Sequence, residues 1–258
     1  PEERGSARMV IGPGRLPPLV AATARGLIPV MTEPTPPVVE RFVTRRTARC
    51  AVRGPTDRRT AGELWIVLHG YGQLATDFLA ACAALDDGSR LIVAPEALSR
   101  FYDVRSPLER HAAASVGASW MTREERAEEI VDQLHWLQQV HDHYRAIAAP
   151  SAPLTVLGFS QGTAAASRWV AHGGVTPAHL ICWGGSIAPE LALDPASPLG
   201  RTRTTLVVGE RDRFVSAEQL TLERDRLDAA GFRYAFERFE GGHRLDDATL
   251  RRVAGSGA

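Results

Sequence analysis

Ser160 stands at the centre of Gly158-Phe159-Ser160-Gln161-Gly162. The residues before it, Leu154-Thr155-Val156-Leu157, are apolar and partly β-branched, as a buried strand requires. Those after it, from Thr163 to Val170, suit a helix. A serine at the apex of a very tight strand–turn–helix, with glycines two places to either side, is the G-x-S-x-G arrangement of a nucleophile elbow. The glycines are needed because a Cβ at either flank would meet a neighbouring strand or helix. The helix that starts beneath Ser160 presents free N–H groups and a positive dipole end to a developing oxyanion. A hydroxyl attacks well only when a base takes its proton and a third group orients that base. His243, in Gly241-Gly242-His243, is the candidate base. Asp212, in Gly209-Glu210-Arg211-Asp212-Arg213-Phe214-Val215, is the candidate acid, preferred to Glu210, which lies closer to the preceding strand. Ser186 follows Gly184-Gly185 but lacks the flanking pattern and reads as loop.

Each of these three residues needs a strand end to hold it. The continuous apolar run at 64–68 reads as a strand buried on both faces, 90–94 as the next buried strand, and 179–183 and 204–208 as further strands. Residues 38–53 alternate and read as an antiparallel, partly solvated edge strand, and residues 234–240 as the last strand. Helices are expected over 76–85, 122–146 and 216–230, after the elbow, and from about 246. Thr122-Arg123-Glu124-Glu125 reads as a capping box opening the second of these. Residues 98–119, with Phe101, Tyr102 and His111, read as a long irregular loop at the carboxyl end of a strand, where α/β sheets bind ligands. The fold class is therefore α/β: a mostly parallel twisted sheet, helices on both faces and an antiparallel N-terminal edge strand. Residues 1–35, rich in Pro, Gly and Arg, read as an irregular extension to a single domain over 36–258.

The chain has 258 residues, 44% apolar and 23% charged, enough for one large α/β domain with a buried core. Thirty Arg balance thirty Asp and Glu, with no Lys, so charge gives no footprint for nucleic acid or an anionic membrane. No apolar run reaches the roughly 18 residues a membrane span needs, so no stable membrane insertion is expected. Cys50, Cys82 and Cys182 are far apart and odd in number, as in free thiols of a reducing, cytoplasmic compartment. His141 and His143 are two apart and so face differently on a helix, which argues against a shared metal site with His135.

Together these stretches resemble the α/β-hydrolase serine esterases, and more closely the small carboxylesterase/phospholipase and acyl-thioesterase branch. The likeness rests on Leu68-His69-Gly70-Tyr71-Gly72, Ala94-Pro95-Glu96, Ser119-Trp120, the pentapeptide around Ser160, the stretch from Gly209 to Val215, and Gly242-His243. It covers roughly residues 38–254. It implies a serine hydrolase that cleaves carboxylic esters through an acyl-enzyme, with Ser160, Asp212 and His243 as triad. It also implies backbone N–H groups of Tyr71 and Gln161 as oxyanion donors, no cofactor or metal, and a small-molecule acyl ester as substrate. His69 reads as a brace of the Tyr71 loop and not as a catalytic base. Trp120, Phe159 and Trp183 are the expected pocket residues. A thioesterase or lysophospholipase acting on longer acyl chains is the alternative within enzymes. A catalytically silent hydrolase fold that binds a ligand is the alternative outside them.

Overall fold

A computed structural model describes residues 38–57, 60–103 and 114–255. Residues 1–35, expected as an irregular extension, and His111 lie outside the described residues. The chain divides into a first unit, Pro1–Arg45, and a second, Arg46–Ala258. The described part of the first unit, residues 38–45, carries no helix or strand, and its Val38, Val39, Phe42 and Val43 are exposed.

The second unit begins with β1 (Cys50–Arg53), β2 (Glu63–Leu68) and α1 (Ala75–Ala81), the last followed by a 3-10 turn at Ala83–Leu85. Next come β3 (Arg90–Pro95), β4 (Ser99–Asp103), β5 (Ser115–Ser119), α2 (Arg126–Arg145), β6 (Leu154–Phe159) and α3 (Gln161–His172). The chain continues through β7 (His179–Trp183), α4 (Pro198–Arg201), β8 (Arg203–Gly209), α5 (Ala217–Ala229), β9 (Ala235–Phe239) and α6 (Asp247–Gly255). Seven strands form one sheet in the order β1-β3-β2-β6-β7-β8-β9, parallel throughout except for antiparallel β1 at one edge.

Side-chain alternation in the central strands builds a core on each face. Leu64, Ile66 and Leu68 of β2 pack with Leu137 and Val140 of α2 and Ala165, Trp169 and Val170 of α3. Trp65 and Val67 point the other way, to Phe78 of α1 and Leu250 and Val253 of α6. Both faces being covered explains why these strands are continuously apolar. At roughly 1.5–3 kcal/mol for each large apolar side chain fully buried, these two layers hold the sheet on which the site stands.

Three local expectations are corrected. The edge strand is only β1, because its partner β3 ends at Pro95. Cys50 pairs with Pro95, Arg49 O takes the Glu96 N–H at 3.0 Å, and beyond that no ladder continues. The loop over 98–119 contains an antiparallel pair, β4 with β5, running from Ser99↔Ser119 to Asp103↔Ser115. The capping box does not form, since the Thr122 N–H donates to the Glu129 carboxylate and Glu125, at φ 48°, precedes a helix that opens at Arg126. A capping box is found instead on α5, between Ser216 and Gln219.

Candidate active site

β6 runs buried into Ser160, and α3 starts one residue later. Ser160 has φ 53° and ψ −119°, a conformation that costs a non-glycine residue on the order of 1–3 kcal/mol. Its neighbours fix it there. The Ser160 N–H donates to Trp183 O at 2.8 Å, and Ser160 O accepts the Thr163 N–H at 3.0 Å and hydroxyl at 2.7 Å. A Cβ on Gly158 would lie 2.4 Å from Gly162 O, and one on Gly162 only 2.3 Å from Leu68 O. Both obstacles are backbone, so no rotamer change relieves them.

Asp212 and His243 come from the ends of adjacent strands, β8 and β9. The two turns are joined by Glu210 N–H to Phe239 O at 3.0 Å and Arg211 N–H to Gly241 O at 2.8 Å. Asp212 Oδ2 lies 2.8 Å from His243 Nδ1. The Asp212 side chain is 1% exposed, whereas Glu210 faces solvent. A carboxylate only accepts, so Nδ1 carries a proton, and in the neutral ring the lone pair is on Nε2. The imidazole rests between the Phe159 and Phe214 rings, at centroid distances of 4.8 and 4.7 Å. The turn after β7 links it to the serine. A Cβ on Gly184 would lie 3.2 Å from His243 Nδ1, and one on Gly185 would lie 2.6 Å from Ser160 O. Ser160 Oγ itself makes no hydrogen bond among the described residues.

The loop after β2 passes beside Ser160: a Cβ on Gly70 would lie 3.2 Å from the Ser160 Cβ. Its other backbone donors are occupied. Gly70 N–H donates to Gln73 Oε1 (2.8 Å), Gly72 N–H to Ala118 O (2.9 Å) and Gln73 N–H to Gly70 O (3.3 Å). Among the described residues neither the Tyr71 nor the Gln161 N–H donates to a protein acceptor. His69 is fully buried; its Nδ1–H donates to Gly70 O at 2.8 Å, while Nε2 accepts the Ala97 N–H at 3.0 Å. Burial lowers its pKa against the opposing pull of the Gly70 carbonyl, so it braces the loop as a neutral ring.

Among the described residues one cleft opens at Ser160 and another at His243. One, of about 440 Å³, runs from Ser160 past Gly184 and Ile187 to Phe214, Leu222 and Arg226. The other, of about 290 Å³, lies over Phe78, Phe159 and Leu245 and includes His243 and Gln73. Phe159 is thus in a cleft wall, but Trp120 and Trp183 line neither. They are 3% and 1% exposed, and their indole N–H groups are satisfied inside the fold by His69 O at 2.8 Å and Arg244 O at 2.9 Å. Ser186 is exposed at the rim of the larger cleft.

Sequence reading did not anticipate the Gln161 side chain. Its amide donates to Met121 O at 2.9 Å and Ser119 Oγ at 3.0 Å, and its Oε1 accepts the Trp120 N–H at 3.0 Å. Nor did it anticipate Arg168 on α3, its side chain 4% exposed, which with Arg126 holds Glu190, the residue after Pro189 of the larger cleft. Burial works to raise the Glu190 pKa, but the two guanidinium donors prevail and hold it at about 2. Among the described residues no group of three or more His, Cys, Asp or Glu is placed to hold a metal ion. None of the described helices is long and apolar enough to cross a membrane.

A parallel sheet with one antiparallel edge, a tight strand–turn–helix after β6, and Asp212 and His243 after β8 and β9 make up the architecture. The chain has the α/β-hydrolase fold. Solved structures that share it include acyl-protein thioesterase 2 of Zea mays, at TM-score 0.60 and 18% identity, over 82% of this chain and 100% of that one. Esterase PE8 superposes at TM-score 0.57 and 18% identity, over 82% and 98%. The Bacillus cereus carboxylesterase does so at 0.58 and 14%, over 81% and 93%. No family model matches the sequence, and no curated protein sequence matches it.

Proposed function

We propose that this α/β-hydrolase is a serine esterase that cleaves carboxylic esters through an acyl-enzyme. The observation that carries the reading is the 2.8 Å contact between Asp212 Oδ2 and His243 Nδ1, beside a strained Ser160 at the elbow. Substrate excludes water and closes the Ser160–His243 hydrogen bond, which is often open in resting sites. Ser160 Oγ attacks the carbonyl carbon as its proton passes to His243 Nε2. The N–H groups of Tyr71 and Gln161 receive the oxyanion, each donor contributing roughly 3–4 kcal/mol to the transition state. His243 then protonates the leaving oxygen, the alcohol departs, and the acyl group stays on Ser160. Water attacks that ester with His243 again as base, giving the carboxylic acid and free serine.

A second reading is a thioesterase or lysophospholipase for longer acyl chains. It is favoured by the apolar lining of the larger cleft, where Phe214 and Leu222 are exposed, and by the fold shared with an acyl-protein thioesterase. The three cysteines are unpaired, which accords with a reducing, cytoplasmic setting. The test is hydrolysis of a p-nitrophenyl ester series by the parent and by Ser160→Ala. Loss of turnover in the variant supports the nucleophile, and equal rates rule it out. A rate maximum at long acyl chains would favour the second reading.

A further inference from the structure

The β4–β5 hairpin stands outside the main sheet, and a two-stranded pair is marginal alone, so its position rests on what it touches. Besides Ser99 Oγ to the Glu129 carboxylate of α2 at 3.2 Å, its contacts reach the Tyr71 loop and the elbow. Toward the loop, Ala118 O accepts the Gly72 N–H at 2.9 Å, and the Phe101 ring stacks on Tyr71 with centroids 5.0 Å apart. The backbones touch there as well, since a Cβ on Gly117 would lie 2.8 Å from both Gly72 Cα and Gly72 O. Toward the elbow, the hairpin's return strand and the two residues after it hold the Gln161 side chain through Ser119 Oγ, Trp120 N–H and Met121 O. At its root Arg100 Nε sits 2.6 Å from Glu96, a buried carboxylate that also takes Arg49 and the Ala75 N–H.

We infer that the β4–β5 hairpin positions both oxyanion donors, gripping the Tyr71 loop through Phe101, Gly117 and Ala118 and the elbow through the Gln161 side chain. This rests on the reading of Tyr71 and Gln161 as those donors. Neither donor is held in its aim from its own strand alone. The N–H after Tyr71 ends on the hairpin, and the side chain of Gln161 ends there too. Because oxyanion donors act only within about 2.7–3.1 Å of the charge, and displacement of about 1 Å costs on the order of a hundredfold, the hairpin's seating sets kcat. Phe101, Gly117, Ser119 and the Gln161 side chain are positioning groups, and none of them touches the reacting atoms.

The experiment compares Phe101→Ala, Phe101→Tyr, Gly117→Ala and Ser119→Ala with the parent on a short-chain p-nitrophenyl ester. Phe101→Ala and Gly117→Ala are expected to lose about tenfold in kcat with KM within about twofold. Phe101→Tyr, which keeps the stack, stays at the parent value. The Ki of a trifluoromethyl ketone, whose serine adduct carries the oxyanion, rises in step with the loss of kcat/KM. Thermal melting confirms that each variant is folded, and Ser119→Ala, which removes only one hydroxyl, stands in should Gly117→Ala not fold. Unchanged kcat in folded Phe101→Ala and in folded Gly117→Ala, or in Ser119→Ala in its place, overturns the inference. So does a raised KM at constant kcat, which would make the hairpin a substrate wall. A Ser160→Ala enzyme that still turns over sinks the nucleophile reading and this one together. An inactive Ser160→Ala beside fully active hairpin variants sinks this one alone.

Discussion

Asp212 divides its two oxygens between two tasks: Oδ2 meets His243 Nδ1 at 2.8 Å, while Oδ1 accepts the N–H groups of Phe214 at 2.8 Å and Val215 at 3.1 Å. The backbone donors fix the carboxylate, and the carboxylate fixes the imidazole. Asp212→Asn would keep its carbonyl oxygen toward Phe214 and Val215, because only an oxygen can accept there. Its NH2 then faces His243, so Nδ1 must become the acceptor and Nε2 carries the proton. The base is thereby lost at the atom that needs it. Turnover of a p-nitrophenyl ester is expected to fall about 10³- to 10⁴-fold, with the urea midpoint shifted by no more than about 1 kcal/mol in stability. A loss below tenfold would remove Asp212 from the mechanism.

The φ of 53° at Ser160 predicts a split between two inactive variants. Ser160→Ala keeps a Cβ in the strained conformation, whereas Ser160→Gly releases it. Relief of about 1–3 kcal/mol outweighs the greater chain entropy of glycine, about 0.5–1 kcal/mol. Ser160→Gly should therefore be more stable than Ser160→Ala by about 1 kcal/mol in urea unfolding. Equal stability of the two would mean that the elbow relaxes when the hydroxyl is gone.

Gly162 gives a harsher result. Its place against Leu68 O and His69 O, 2.3 and 2.7 Å from an added Cβ, leaves backbone on two sides. Gly162→Ala must push α3 from β2, at a cost of about 3 kcal/mol, and it moves Gln161 as it does so. Loss of both melting temperature and esterase rate is expected. A variant that melts like the parent would show that the elbow has room the distances deny.

The elbow and its partners were legible because local chain features carry them: glycine spacing around Ser160, strand ends before Asp212 and His243, and their order along the chain. Non-local features were not. Ser99 pairs with Ser119 across twenty residues, through strands too short and polar to show a period, so the hairpin read as loop. Trp120 and Trp183 read as pocket walls by proximity, but which carbonyl an indole N–H will reach is set by tertiary packing. The alternation over 38–53 continued past the point where β3 runs out of backbone to pair with. Thr122 looked like an N-cap until Glu129, seven residues on, took its N–H.

His179 opens β7 with its ring buried against Thr205 Oγ1 at 2.8 Å. Desolvation first, and the charge of Arg203 second, lower its pKa from the ordinary 6.5 to about 4. The unfolded chain therefore binds a proton between those values while the folded chain does not. With the unfolded state holding more protons, stability rises with pH across that window. The contribution is fully present above about 6.5, declines as pH falls, and is spent near 4. A shift of this size corresponds to about 3 kcal/mol. His179→Gln, which retains a hydrogen-bonding group but cannot titrate, should flatten this part of the profile. The check is urea unfolding of both proteins at intervals from pH 7 to 4. A parent curve that falls no more steeply than the variant's would show that His179 is protonated in the folded chain.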